Sequence, residues 1–97
     1  MENVAILATL KAKPGKEAEV ESFLKSALPL AQAEPETVSW YAIKIDNSTF
    51  GVFDTFADDG GRDAHLNGKI AGALMEHAAD LLSEAPDIRK IDILVAK

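Results

Sequence analysis

The sequence predicts an α+β fold: one four-stranded antiparallel sheet with helices on one face. Three observations predict it. Residues 4–11, 37–46, 49–56 and 87–96 alternate in the two-residue rhythm of strands. Residues 16–33 and 62–83 repeat apolar side chains at the three- and four-residue steps of helices. Only Asp46-Asn47-Ser48 separates the middle two strands, which is a hairpin signal. The order β-α-β-β-α-β is the ferredoxin-like arrangement.

In the first strand Val4, Ile6, Ala8 and Leu10 share a face, and Ala5, Leu7 and Thr9 share the other. Both faces are apolar, so both are expected to be covered. Lys13-Pro14-Gly15-Lys16 is a turn, with Pro fixing φ and Gly permitting a positive one. The first helix, residues 16–33, presents Val20, Phe23, Leu24, Ala27, Leu28 and Ala31 on its apolar stripe. Pro29 lies inside that stripe and is expected to kink or split the helix, and Glu34-Pro35-Glu36 ends it.

The second strand places Val38, Trp40 and Ala42 on one face and Ser39, Tyr41, Ile43 and Ile45 on the other. In the third, Phe50, Val52, Asp54 and Phe56 oppose Thr49, Gly51, Phe53 and Thr55. Residues 57–61 form a loop with capping residues. The second helical stretch, in one piece or two, carries Leu66, Ile70, Ala73, Leu74 and Leu81, and Glu84-Ala85-Pro86 breaks it. Helices cover one sheet face only, yet every strand is apolar on both. Two sheets packed face to face in a homodimer is the economical answer.

The chain has 97 residues, the size of one domain spanning residues 1–97. A net charge of -6 argues against nucleic acid and anionic membranes as partners. With no cysteine there is no disulfide, thiolate metal site or cysteine nucleophile. Met1-Glu2-Asn3 lacks the basic charge of a secretory leader, and no stretch approaches a membrane span. A cytoplasmic protein is expected.

No phosphate loop, nucleotide-binding glycine pattern, metal-ligand cluster or nucleophile elbow is present. Two histidines twelve residues apart on one straight helix stand about 18 Å apart and do not share a metal. The candidate groups are isolated side chains. His65 falls in the first turn of the helix read over 62–83, where the helix N-terminus disfavours imidazolium. A neutral His there accepts a proton or orients a substrate hydroxyl; the plainer alternative is a surface His bonded to Asp58-Asp59. His77, in the apolar stripe, reads as a core residue or as a sign that the helix breaks nearby. Asp54 is a carboxylate on an apolar strand face. It is a polar group in a pocket or, as the favoured reading, the partner of Arg62, Arg89 or Lys44 or of a group across a dimer interface. Trp40, Tyr41, Phe23, Phe53, Leu66 and Ile70 are candidate lining residues of an apolar cavity, with core packing as the alternative.

Several stretches together resemble the antibiotic biosynthesis monooxygenase family. They are Lys13-Pro14-Gly15-Lys16-Glu17 before a helix containing Phe23, and Glu34-Pro35-Glu36-Thr37, which is similar to the family's E-P-G element. Phe50-Gly51-Val52-Phe53-Asp54-Thr55-Phe56 resembles its F-x-x-x-E-x-W/F strand, and Ala64-His65-Leu66 its A-H-x helix opening. The resemblance implies a dimer whose sheets form an α+β barrel, with a cavity between sheet and helices in each subunit. It further implies oxygenation of phenolic or quinol substrates with dioxygen and no cofactor. Some members degrade haem, and a relative acts on an autoinducer sugar phosphate. Carried over by position, His65 matches the family His and Asp54 the strand-three acid. Asp replaces the usual Glu at 54, Glu36 replaces Gly, and the second helix lacks the Trp of the haem-degrading branch. The expectation is a monooxygenase with a small apolar or aromatic ligand. A non-oxidative isomerase or a hydrophobic-ligand-binding stress protein on the same scaffold is the alternative.

Overall fold

A computed structural model describes residues 2–97. Met1, the first residue of the stretch read as lacking a leader's charge, lies outside the described residues. The elements run β1 (Val4–Lys11), α1 (Glu17–Ser26), α2 (Leu28–Gln32), β2 (Thr37–Lys44), β3 (Thr49–Phe56), α3 (Asp59–Leu66), α4 (Lys69–Leu81) and β4 (Asp87–Asp92). The strands form one antiparallel sheet in the order β2-β3-β1-β4, the ferredoxin-like topology. Among the described residues, no helix is long and apolar enough to cross a membrane.

Local chemistry sets the joints. Gly15 takes φ of 87°, which a side chain would resist, and turns the chain from β1 into α1. The first helical stretch splits before Pro29, which sits in the first turn of α2, where its missing N–H costs nothing. Asp46 Oδ1 accepts from the amides of both Ser48 and Thr49 and so closes the β2–β3 hairpin.

The helix-facing side of the sheet carries Ala8, Leu10, Phe50 and Val52, packed against Val20, Leu24 and Leu82. A second cluster of Ala27, Ala31 and Ile70 joins the first through Trp40. The opposite side is left open. There Tyr41 stacks on Phe53 with ring centroids 6.5 Å apart, and Tyr41 and Ile43 are exposed.

Element boundaries and the register of β2 differ from the sequence expectation, and β2 ends at Lys44 instead of residue 46. The last strand stops at Asp92 instead of running to residue 96. It is an edge strand paired only with β1, and β1 begins at Val4, so residues 94–96 have no ladder left to join. The second helical stretch starts at Asp59, because Asp58 caps it by accepting from the Gly61 amide at 2.9 Å. Of the two arrangements the sequence allows, one piece or two, it takes the second, dividing at Asn67-Gly68 into α3 and α4. Finally, β2 bulges between Thr37 and Ser39, so Val38 leaves the face it was assigned with Trp40. The bulge turns Thr37, paired with Phe56, towards the helices.

Candidate active site

The site grows from the point where α3 crosses the end of β3. Asp54 is on the helix-facing side of β3 and is 1 % exposed. His65 is on α3 and is 7 % exposed, with its ring 5.4 Å from that of Phe56. Its Nε2 stands 2.8 Å from Oδ2 of Asp54. That contact is an ion pair more than an aligned hydrogen bond, since neither Asp54 oxygen has a well-directed donor among the described residues. On the other side of the ring, Nδ1 lies 2.6 Å from Oε1 of Glu34.

Glu34 owes its place to a turn. The Thr37 amide donates to the Glu34 carbonyl, and Pro35 occupies the position of a β-turn that suits its fixed φ. The β2 bulge then brings the Thr37 hydroxyl round, and it donates to Glu34 Oε1 at 2.7 Å. One carboxylate oxygen therefore receives both His65 and Thr37.

Burial on its own would lower the pKa of His65. The close contacts with Asp54 and Glu34, and the charges of both carboxylates, override it and raise the value from 6.5 to about 9. The position on the helix acts in the same sense. His65 is in the last turn of α3, where the helix dipole favours a cation. The expectation of a neutral histidine at a helix start is corrected: α3 begins six residues earlier, and His65 is an imidazolium at neutral pH. The surface alternative is corrected too, since the ring is buried.

Beside this chain of side chains opens a cleft of about 400 Å³. Leu30, Ala33, Pro35, Gly61 and Ala64 give it apolar walls, and Glu34, Thr37, His65 and Lys69 supply its polar groups together with Glu36.

The other site candidates are distributed differently. Trp40 and Ile70 pack together in the second cluster and do not line this cleft. Leu66, half-buried on α3, does not line it either. Phe23 meets His77 edge-on at 5.8 Å in a separate shallow groove between α1 and α4. Tyr41 and Phe53 are on the far side of the sheet. The ion-pair partners expected for Asp54 are engaged elsewhere: Arg62 with Asp59, Arg89 with Asp87 and Lys44 with Glu21. His77 is exposed, because the inward stripe of α4 runs through Ile70, Leu74, Ala78 and Leu81. Glu34 was read only as a helix end and part of a resemblance. An acid directly before Pro in a helix-to-strand turn was its one local signal.

The fold and this site describe a ferredoxin-like α+β protein with a buried acid–His–acid chain beside an apolar cleft. No family model matches the sequence, and no curated protein does. Among solved structures, the chain is similar to the NE2512 protein of Nitrosomonas europaea, a protein of unknown function. The two are 58 % identical, with 100 % of this chain and 94 % of that one covered and a TM-score of 0.98. The chain belongs to the family of that protein. The fold is also shared with a candidate antibiotic biosynthesis monooxygenase of Caulobacter crescentus at 22 % identity, covering 97 % and 92 % of the two chains with a TM-score of 0.80. A second such candidate, from Nitrosomonas europaea, is 13 % identical over 96 % and 91 %, with a TM-score of 0.84. These two likenesses show a shared ferredoxin-like α+β fold.

Proposed function

We propose that the protein is a cofactor-independent monooxygenase that oxidises a small phenol- or quinol-type aromatic with dioxygen in the cleft beside His65. The observation that carries this reading is the buried imidazolium of His65, held by Asp54 and Glu34 at the wall of a cleft with apolar walls and a few polar groups. The monooxygenase-like scaffold and the resemblance around Ala64-His65-Leu66 support it.

The chemistry balances with dioxygen alone. A phenol loses four electrons and becomes a quinone; one oxygen atom enters the ring and the other leaves as water. The first electron transfer oxidises the phenol and makes superoxide, and the Lys69 ammonium lining the cleft favours that anion. Asp54 keeps the His65 ring charged and oriented. The protein acts as a cytoplasmic homodimer in this reading, with the open sheet faces of two copies packed together.

Dioxygen uptake by metal-free protein with a panel of phenols, reduced quinones and anthrones tests it, comparing wild type with His65→Ala. Uptake above the autoxidation blank that falls in the variant is expected. No uptake with any compound would overturn the oxygenase reading and leave an isomerase or a hydrophobic-ligand-binding protein on the same scaffold.

A further inference from the structure

We infer that the atom of this site that meets the ligand is Oε2 of Glu34, that His65 and Thr37 are positioning residues, and that the cleft selects a neutral ligand bearing a hydroxyl donor. The inference rests on the cleft being the binding site for a small aromatic, as proposed above.

The geometry leaves His65 no free nitrogen. Nδ1 is held by Glu34 and Nε2 faces Asp54, so neither can reach a ligand without abandoning a carboxylate. Glu34 divides its two oxygens. Oε1 accepts from both His65 and Thr37, while Oε2 has no protein donor among the described residues. Its side chain is 21 % exposed and lines the cleft. Two donors on one oxygen fix the carboxylate plane, so the direction of the free oxygen is set before any ligand arrives.

That free acceptor decides what binds. A ligand filling the apolar cleft removes water from Oε2 and must replace it with a donor, or leave a carboxylate desolvated and unmet. A hydroxyl on an aromatic ring meets the need. Its methyl ether does not, and a carboxylic acid is repelled. A protonated amine also donates, but Lys69 at the rim opposes its charge, and apolar walls penalise an ammonium more than a hydroxyl.

The same contact serves the oxidation. Once an electron passes from the phenol to dioxygen, the phenolic O–H becomes strongly acidic. Its bond then breaks, and the proton goes to Oε2, forming a carboxylic acid. Glu34 need not be a strong base for that step.

The test is a matched pair of ligands on the intact protein, naphthol and methoxynaphthalene. Binding is followed through the amide resonances of Thr37, Gly61 and Gly68 around the cleft. Naphthol is expected to bind about tenfold or more tightly than its methyl ether. In Glu34→Gln the amide oxygen must accept from His65, which turns the NH2 group into the cleft. The preference should then fall below about threefold. Equal affinities in wild type would overturn the inference without any variant. So would shifts absent from the cleft amides, or an unchanged preference in a folded Glu34→Gln protein. Naphthol selectivity without dioxygen uptake would uphold this assignment and defeat the oxygenase reading, so the two failures are separable.

Discussion

His65 on α3 donates from Nδ1 to Oε1 of Glu34 at 2.6 Å, closing α3 onto the turn that precedes β2. With Asp54 on the other nitrogen, the ring is held charged, its pKa raised from 6.5 to about 9. A raised pKa means that the folded state holds the proton more tightly than the unfolded chain. The stabilisation is therefore complete below about pH 6.5 and is lost as pH rises through about 9. Roughly 2 kcal/mol is at stake after allowance for solvent screening. Urea midpoints between about pH 6 and pH 10 should fall with rising pH. The fall should vanish in His65→Leu. A His65 ring titrating below neutrality by nuclear magnetic resonance would sink this account.

Removing the ring strands its partners unequally. Glu34 keeps Thr37 and access to the cleft, whereas Asp54 is 1 % exposed and has no other partner among the described residues. His65→Leu should therefore cost about 3–5 kcal/mol, the range for an uncompensated buried charge. Adding Asp54→Leu should restore much of the loss, because the stranded carboxylate is then gone. A double variant no more stable than the single one, by denaturant unfolding, would show that the cost lies in packing.

The elements were legible because each has a local cause. Alternation marks β1 and β3, Pro29 splits the first helical stretch, and the short Asp46-Asn47-Ser48 turn joins the hairpin. The site was half legible. Asp54 stood out as a carboxylate on an apolar face and His65 by its place in a motif, but their pairing depends on where α3 begins and on how it crosses β3. Asp58 as cap, rather than a helix starting at Arg62, moves His65 from the first turn of a helix to the last and reverses the sign of the dipole on it. Glu34 and Thr37 were hidden for a different reason. The bulge at Val38 shifts the register of β2, and strict alternation places Thr37 on the wrong face. Cavity lining was least legible, since an aromatic on a two-faced apolar sheet does not say which face holds the ligand.

Gly68 ties this geometry to the break between α3 and α4. A Cβ there would lie 3.2 Å from the His65 carbonyl and 3.3 Å from Glu34 Oε2. Gly68→Ala should cost about 1–2 kcal/mol through crowding of a backbone oxygen that cannot swing aside. It should also push Oε2 from its place. The Tm should drop, and the His65 Nδ1 proton resonance should move as its bond to Glu34 lengthens. A variant with unchanged Tm and an unmoved resonance would mean that the chain relaxes freely at Asn67-Gly68.

The open sheet face carries the last prediction. Leu7, Ile43, Tyr41, Phe53 and Ile91 lie on the side that no helix covers, with Tyr41 55 % exposed and stacked on Phe53. A chain of 97 residues has little apolar surface to spare, and a contiguous patch of this kind on a small domain calls for a partner surface. A second copy supplies one of identical chemistry through a two-fold axis. Light scattering at micromolar concentration should return twice the chain mass of 10.4 kDa. Phe53→Glu places a charge in the centre of that interface and should shift the population to monomer, with a lower Tm, because the buried carboxylate would have no partner. Tyr41→Lys, nearer the sheet edge where the stem can reach water, should weaken the dimer less. A wild-type monomer would remove the face-to-face pairing, and equal dissociation by both variants would move the centre of the interface away from Phe53.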